Sequence, residues 1–532
     1  MPPERKPPND DNSAPLFLST TRERILDHGA LSPEDPVLPT AQGGPREGIR
    51  LTIEQVLEGV SCAIPQEAAG RAVTGLTANS REVQEGNLFF CIQGERADGH
   101  TYAPKALEAG AAAVVAQRDL GLPRQILVEN SRAAYALACG NWFGNPSRRL
   151  RLIGVTGTNG KTTVSYLIKS ILEAAGKKVG LIGTIRNEIG PMKIPAHYTT
   201  PDPFALHSLF ARMVEAGCEY GVMEVSSHGL DQHRLEGCRF EVGVFTNLTQ
   251  DHLDYHHTME NYFQAKKTLF DLAGMGVVNL DDPYGRRLRE EISIPCTTFS
   301  VKEDGADYTA KSIRSTIQGS TFAFVGKGMI ARVKLAMPGA FSVSNAMAAA
   351  SCALALGIPL EVAAEGLSRC PGVLGRAEVI AAGEEYTIIR DYAHTGDGLE
   401  KILSTVREFA PGRLVVLFGC AGNRDAAKRP DMAAIAARLA DYCILTSDNP
   451  RHEDAQKIVD DALPGFQGSK TPYKVILNRY EAIRWALDHL QPGDTLVLAG
   501  KGHEDYQVLK DETIWFDERE IVRRMLAQSR PS

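Results

Sequence analysis

The sequence has no apolar run long enough to cross a membrane, which argues against a helical membrane protein. No apolar h-region follows the N-terminus, so a secretory signal is not expected. The 10 cysteines include no C-x-x-C pair and no metal-type spacing. Reduced, mostly buried thiols in a cytosolic, cytoplasmic protein are the expectation. Positive charge is not in excess. The net charge of −7 argues against a general nucleic-acid surface. The C-terminal third has no G-x-G-x-x-G after its first strand-like run, so a dinucleotide is not indicated.

What is present is ordinary for a globular chain, with 43% hydrophobic and 23% charged residues. A length of 532 residues exceeds a single core and suggests about three or four domains. Residues 1–48 are rich in Pro, Asp, Glu and Arg and read as a disordered extension.

The most informative stretch is Gly154-Val155-Thr156-Gly157-Thr158-Asn159-Gly160-Lys161-Thr162-Thr163. It follows the apolar run Leu150 to Val155, which reads as a buried parallel strand. It precedes Val164, Leu167, Ile168, Ile171 and Leu172, spaced as one face of a helix. Strand, Gly-rich turn and helix N-terminus together aim backbone N–H groups and a helix dipole at one point, which suits a phosphate chain. Lys161 can reach the β/γ-phosphates and the Thr162 hydroxyl can ligate Mg²⁺. The glycines fall at 154, 157 and 160, offset from the strict P-loop spacing, which would put a glycine at Val155.

The rest of the chain alternates strand and helix patterns, so the expected class is α/β. Residues 49–148 read as a small α/β domain, with a strand at Leu88 to Ile92, a helix at Tyr102 to Ala109 and polar loops at 77–81 and 94–99. Residues 149–371 read as a central P-loop ATPase-like domain on a parallel sheet. Strands there end in polar clusters beginning at Glu224-Val225-Ser226-Ser227-His228 and at Asn247-Leu248-Thr249-Gln250-Asp251-His252. Ligands bind at that edge in open α/β sheets, which makes Glu224 a candidate for Mg²⁺, held directly or through water. Residues 372–532 read as a doubly wound, Rossmann-like domain. Its strand ends carry Asp391-Tyr392-Ala393-His394, Gly422-Asn423-Arg424-Asp425, Asp448-Asn449-Pro450-Arg451 and Gly500-Lys501-Gly502-His503-Glu504-Asp505. Arginines on such an edge suit carboxylate or phosphate. The residues alone therefore describe an ATP-using enzyme with a second domain for an anionic substrate.

Gly157 to Thr163, Glu224 to His228, Asp251-His252, Asn345 after Gly339-Ala340-Phe341, Gly375-Arg376 and Asp391 to His394 occur in the order seen in the Mur ligases. From about Leu51 to the C-terminus the chain resembles that family of ATP-dependent amino-acid ligases of peptidoglycan synthesis. The resemblance implies that Gly157, Thr158, Asn159, Gly160, Lys161, Thr162, Thr163, Asn345, Arg376 and Asp391 meet ATP. It implies that Ala78, Ser80, Glu95, Arg96 and Ala97 contact the UDP part of a UDP-muramoyl dipeptide, and that Thr199, Thr200, Ser226, Gln232 and Arg234 hold its dipeptide. Lys161, Glu224, His252 and Lys266 take the catalytic positions. Lys266 matches a lysine that is carbamylated in the family (N6-carboxylysine) and would bind a second Mg²⁺ near His252, so Thr162, Glu224, His252 and Lys266 form the implied metal set.

Asp448-Asn449-Pro450-Arg451 matches the family motif for meso-diaminopimelate, with Arg424, Gly500 and Glu504 at the other amino-acid positions. The implied reaction joins that amino acid to the D-Glu γ-carboxylate through an acyl phosphate. A monomer acting on small molecules, without nucleic acid or membrane insertion, is expected. An L-lysine-adding sister ligase, a folylpolyglutamate synthase-like ligase and a P-loop ATP switch are the alternatives. The chain departs from its relatives at Asn79 (often Asp), Tyr198 (Asn in some) and Gly396 (usually Pro).

Overall fold

The apolar runs become buried strands, and the runs with helical periodicity pack across them. The computed structural model describes residues 50–94, 97–382 and 385–528. Residues 1–48, read from the sequence as a disordered extension, lie outside this range, as do Glu95 and Arg96.

Three larger sheets organise the described residues. The first has five strands in the order Cys62–Ala63, Gln125–Val128, Ala113–Ala116, Asn87–Phe90 and Gly75–Thr77, all parallel but the first. Loop 77–81 leaves the C-terminal end of Gly75–Thr77, and Gly94, Ala97 and Asp98 come after the neighbouring strand Asn87–Phe90. The helix expected at Tyr102 to Ala109 spans Ala103–Glu108.

The central sheet has eleven strands. At its heart Val179–Ile182, Tyr220–Glu224, Arg151–Thr156, Phe240–Phe245 and Ala273–Asn279 run parallel. Antiparallel strands extend both edges: Arg186–Ile189 with Met192–Pro195 on one side, Gly319–Gly326 with Met329–Leu335 on the other. The register matters for chemistry. Glu224 lies opposite Val155 and Phe245 opposite Thr156, so three strand ends are flush. Helix Lys161–Ala174 buries Val164, Leu167, Ile168, Ile171 and Leu172, its predicted face, in one core layer. Leu206, Leu209, Phe210 and Met213 fill the opposite layer.

The third sheet runs Glu378–Ala382, Tyr386–Asp391, Asp494–Ala499, Leu414–Cys420, Tyr442–Ser447 and Tyr473–Val475, parallel apart from its first strand. Its strand ends are also level, with Asp391 opposite Ala499 and Cys420 opposite Ser447.

Candidate active site

Two glycines shape the turn after strand Arg151–Thr156. Gly157 and Gly160 have φ of +144° and +89°. A Cβ on Gly157 would strike Thr246 Oγ1, and one on Gly160 would strike Asn345 Oδ1. Gly154 has a different role. A Cβ there would lie 2.8 Å from Leu269 Cδ1, so it lets helix Met259–Asp271 approach the strand. The offset glycine spacing therefore mixes one packing glycine with two turn glycines.

Lys161, the first residue of its helix, donates from Nζ to the carbonyls of Gly157 and Thr158, both at 2.9 Å. Burial lowers its pKa, and Glu224 and Asp251 only partly oppose the shift. Thr158 Oγ1 donates to the Thr249 carbonyl at 3.2 Å. Thr163 lines the same cavity as the loop. Asn159 Nδ2 reaches across to Asp397 Oδ2 at 2.6 Å, where Thr249 Oγ1 and Lys401 Nζ also donate, at 3.1 and 2.7 Å.

Flush strand ends bring the acid to the loop. Thr162 Oγ1 donates to Glu224 Oε2 at 2.8 Å. Thr184 donates to the same carboxylate from its backbone N–H at 2.8 Å and from Oγ1 at 3.0 Å. A side-chain guanidinium N of Arg376 donates to Thr162 Oγ1 at 3.1 Å, so the residue after Gly375 reaches the phosphate turn. Arg376 also lies over the Tyr392 ring, 4.4 Å from its centre. Asp391 accepts from the Ala377 and Ala393 N–H groups at 2.7 and 2.8 Å, and burial raises its pKa.

Lys266 is 1% exposed, and its Nζ donates to the Gly157 carbonyl at 2.9 Å. Burial, then the nearby Lys161 ammonium, hold its pKa well below the ordinary lysine value. A buried amine that favours its neutral form is chemically suited to carbamylation, which needs the free base. His252 has a left-handed backbone, φ +54°. Burial holds its ring neutral well below the ordinary pKa, against the pull of Asp251. Asp251 stays ionised: burial opposes this, but the Lys428 ammonium and the His252 backbone N–H favour its charged form.

The residues expected at the dipeptide form one network on the far side of Glu224. Thr200 Oγ1 donates to the Glu224 carbonyl at 2.9 Å and accepts from the Ser226 N–H at 2.9 Å. Arg234 donates to the Thr200 carbonyl at 2.6 Å and to Gln232 Oε1 at 2.7 Å. Thr199 Oγ1 lies 3.0 Å from Thr184 Oγ1. Ala78 and Ser80 follow strand Gly75–Thr77 and Ala97 comes after strand Asn87–Phe90; Glu95 and Arg96 lie outside the described residues.

The third sheet supplies a second polar end. Asp448 and Asn449 are buried, and Asn449 Nδ2 donates to Glu504 Oε2 at 2.9 Å. Lys501 Nζ bridges Asn449 Oδ1 and Glu504 Oε2 at 2.9 and 2.7 Å. Burial raises the Glu504 pKa, partly offset by Lys501. Gly500 has φ +109°, and a Cβ there would sit 2.5 Å from Asp448 Oδ2. Pro450 closes on Gly422, whose Cβ would strike the Pro450 carbonyl. Burial, and then the charge of Arg424, disfavour a second cation at Arg451, a state that an anionic ligand relieves.

These two ends share one cavity of about 720 Å³. Thr158 to Thr163, Glu224, Asn345, Arg376 and Asp391 line one part of it, and Arg424, Asp448, Asn449, Arg451, Gly500 and Glu504 the other. Thr199 and His252 also line it, while Lys266 does not. A smaller cavity of about 420 Å³ adjoins, with Asp254, Arg424 and Arg451 common to both. Among the described residues no group of three or more His, Cys, Asp or Glu is placed to hold a metal. The adjacent oxygens of Thr162 and Glu224 still fit Mg²⁺, which prefers one or two protein oxygens plus substrate phosphates.

Sequence reasoning missed Thr184, Asp397, Lys428 and Lys501. Lys501 lies inside a quoted cluster and was within reach. Thr184 carries no local signal, because only the turn at Gly183 brings it to Glu224.

The chain matches three family descriptions: "Mur ligase family, catalytic domain" over residues 72–137, "Mur ligase middle domain" over 155–353 and "Mur ligase, glutamate ligase domain" over 375–502. A UDP-N-acetylmuramoyl-L-alanyl-D-glutamate–2,6-diaminopimelate ligase from Clostridium tetani is 45% identical over 86% of this chain and 95% of its own. One of the same description from Geobacillus thermodenitrificans is 43% identical over 86% and 96%. A solved structure of a ligase of that description superposes with a TM-score of 0.66 at 32% identity, over 91% of this chain and all of that one. A MurF ligase from Thermotoga maritima in complex with ADP shares the fold at 20% identity, with a TM-score of 0.59 over 87% of this chain and 99% of that one.

Proposed function

The chain belongs to the Mur ligase family, and from that premise we propose that it joins meso-2,6-diaminopimelate to the D-Glu γ-carboxylate of UDP-N-acetylmuramoyl-L-alanyl-D-glutamate, using ATP, in peptidoglycan biosynthesis. The observation that carries this reading is the shared cavity, with a phosphate turn in one part and the Asp448-Asn449-Pro450-Arg451 loop in the other. The close relatives carry the same substrates in their names. We place the reaction in the cytoplasm, consistent with the absence, among the described residues, of any helix long and apolar enough to cross a membrane.

Chemistry proceeds in two steps. The D-Glu γ-carboxylate oxygen attacks the γ-phosphorus of ATP, ADP leaves, and an acyl phosphate forms. The amine of diaminopimelate then attacks the acyl carbon, a tetrahedral intermediate forms, and inorganic phosphate leaves as the amide closes. Lys161 and the amides of the turn stabilise negative charge on the transferring phosphoryl group. Thr162 and Glu224 would hold Mg²⁺, and a carbamylated Lys266 with His252 a second ion; bound there, the metal neutralises phosphate charge. Asn345, Arg376 and Asp391 are assigned to ATP. Thr199, Thr200, Ser226, Gln232 and Arg234 are assigned to the dipeptide, and Ala78, Ser80, Glu95, Arg96 and Ala97 to UDP. Arg424 and Arg451 receive the far carboxylate of diaminopimelate, while Asp448 and Glu504 receive its ammonium. Closure of the central and C-terminal domains on the substrates would bring amine and acyl phosphate together and exclude water. Domain limits of 49–148, 149–371 and 372–532 are part of the proposal, and each of the three larger sheets falling within one of these ranges supports them.

The test is phosphate release from ATP and the UDP-dipeptide across an amino-acid panel. Release stimulated by meso-diaminopimelate above L-lysine and L-glutamate is expected. Faster turnover with lysine would make the protein a lysine-adding ligase, and release indifferent to any amino acid would make it an ATP switch.

A further inference from the structure

Behind the amino-acid end of the cavity lies a pair that the reaction does not use. Arg479 and Glu518 are both completely buried, and neither lines the cavity. Each begins a helix, Arg479–His489 and Glu518–Gln528. Arg479 Nε donates to Glu518 Oε1 at 2.8 Å, and a second guanidinium nitrogen lies 2.8 Å from the same oxygen. The rest of the fork faces the sheet. One nitrogen donates to the Ala499 carbonyl at 2.8 Å and another to the Ser447 carbonyl at 3.4 Å.

Those two carbonyls are the last of their strands. Ser447 precedes Asp448, and Ala499 precedes Gly500. The two strands are not neighbours, because Leu414–Cys420 lies between them. Backbone pairing therefore does not tie their ends directly, and Arg479 does. In front of the fork the loops touch: Gly500 leaves room for the Asp448 carboxylate, and Asn449 and Glu504 are hydrogen-bonded.

We propose that the Arg479–Glu518 pair is a positioning device for amino-acid selection, which fixes the spacing of the Asp448–Arg451 and Gly500–Glu504 loops without touching substrate. A buried ion pair is weak support for stability, since apolar residues of similar volume often serve as well, so its geometry is the more informative property. The planar fork of arginine can hold a carboxylate and two carbonyls at once, which the single ammonium of lysine does not reproduce. Glu518 fixes the fork's orientation.

This proposal rests on the functional reading above, and the two fail separately. Wild-type enzyme is first assayed with meso-diaminopimelate and L-lysine; no response to diaminopimelate removes the functional reading. With that response in hand, Arg479→Lys and Glu518→Gln are measured for KM of each substrate and for thermal midpoint. The expected result is a rise of about ten-fold in the KM for diaminopimelate with a smaller preference over lysine, because pocket geometry is loosened by a fraction of an ångström. The KM values for ATP and the UDP-dipeptide should stay within about two-fold, because a change confined to that loop pair leaves the phosphate turn intact. An unchanged diaminopimelate KM in a folded variant overturns the proposal, as does a parallel rise in all three. If Arg479→Lys does not fold, Glu518→Gln decides; failure of both to fold assigns the pair to stability alone and overturns it.

Discussion

Lys266 donates from Nζ to the carbonyl of Gly157 at 2.9 Å, across 109 positions of chain. The contact puts a buried amine directly behind the phosphate turn, beside Lys161. Two ammonium groups there would repel, so the arrangement favours a neutral or carbamylated Lys266. Carbamylation of Lys266 is expected to give a carbamate carbon resonance with ¹³C-bicarbonate, increasing as pH rises and the amine loses its proton. Lys266→Arg should lack the signal and lose about 100-fold or more in kcat, the scale of one charge-stabilising group. A wild-type spectrum without the resonance would refute the modification.

Glu224 and Thr162 share a hydrogen bond of 2.8 Å, and both are buried. Replacing Glu224 by Gln keeps the shape and removes the charge. A loss of about 100-fold in kcat is expected, with a raised Mg²⁺ requirement, if the carboxylate serves the metal. Thr162→Ala should raise the Mg²⁺ requirement in the same direction. Mg²⁺ titrations that superpose on wild type would remove both residues from the metal site.

Gly160 has no room for a side chain, because its Cβ would meet Asn345 and its φ is +89°. Gly160→Ala should raise the KM for ATP by about ten-fold, equivalent to about 1.4 kcal/mol. Nucleotide titration followed by fluorescence or calorimetry checks this.

His207 sits 1% exposed between helices Pro203–Glu215 and Ser131–Trp142, with neither ring nitrogen hydrogen-bonded. Burial lowers its pKa to about 4. The unfolded chain, with an ordinary histidine, binds more protons between that value and the ordinary one. Stability is therefore present above the unfolded pKa and lost as pH falls through that window. About 2 kcal/mol should disappear between pH 7 and pH 5 from this group alone. Denaturant unfolding of His207→Leu should show a correspondingly flatter dependence over that range; equal slopes for variant and wild type would rule out His207 as the cause.

The phosphate turn was legible because its chemistry is local. Gly157 to Thr163 are contiguous, and the helix face after them follows from periodicity alone. The parallel strands at the centre were also legible, since they are buried on both faces and read as continuous apolar runs. The antiparallel edges were not, because Arg186–Ile189 is short and mostly polar, and Met329–Leu335 alternates inward and outward positions instead of forming a continuous apolar run. The Lys501 contacts with Asn449 and Glu504, the Arg376 approach to Thr162 and the Asn159–Asp397 hydrogen bond join segments about 50 to 240 residues apart, or pick one member of a polar cluster, and no local pattern encodes them.

By itself the sequence determined which residue types stand at the strand ends, and so that phosphate and carboxylate chemistry would meet at the sheet edge. Only the tertiary structure decided that Val155 and Glu224 stand level, that Arg376 crosses to Thr162, and that both polar ends open into one cavity. The reason is physical: a motif fixes its own backbone over a few residues, whereas the distance between motifs is set by strand register and by the packing of whole layers.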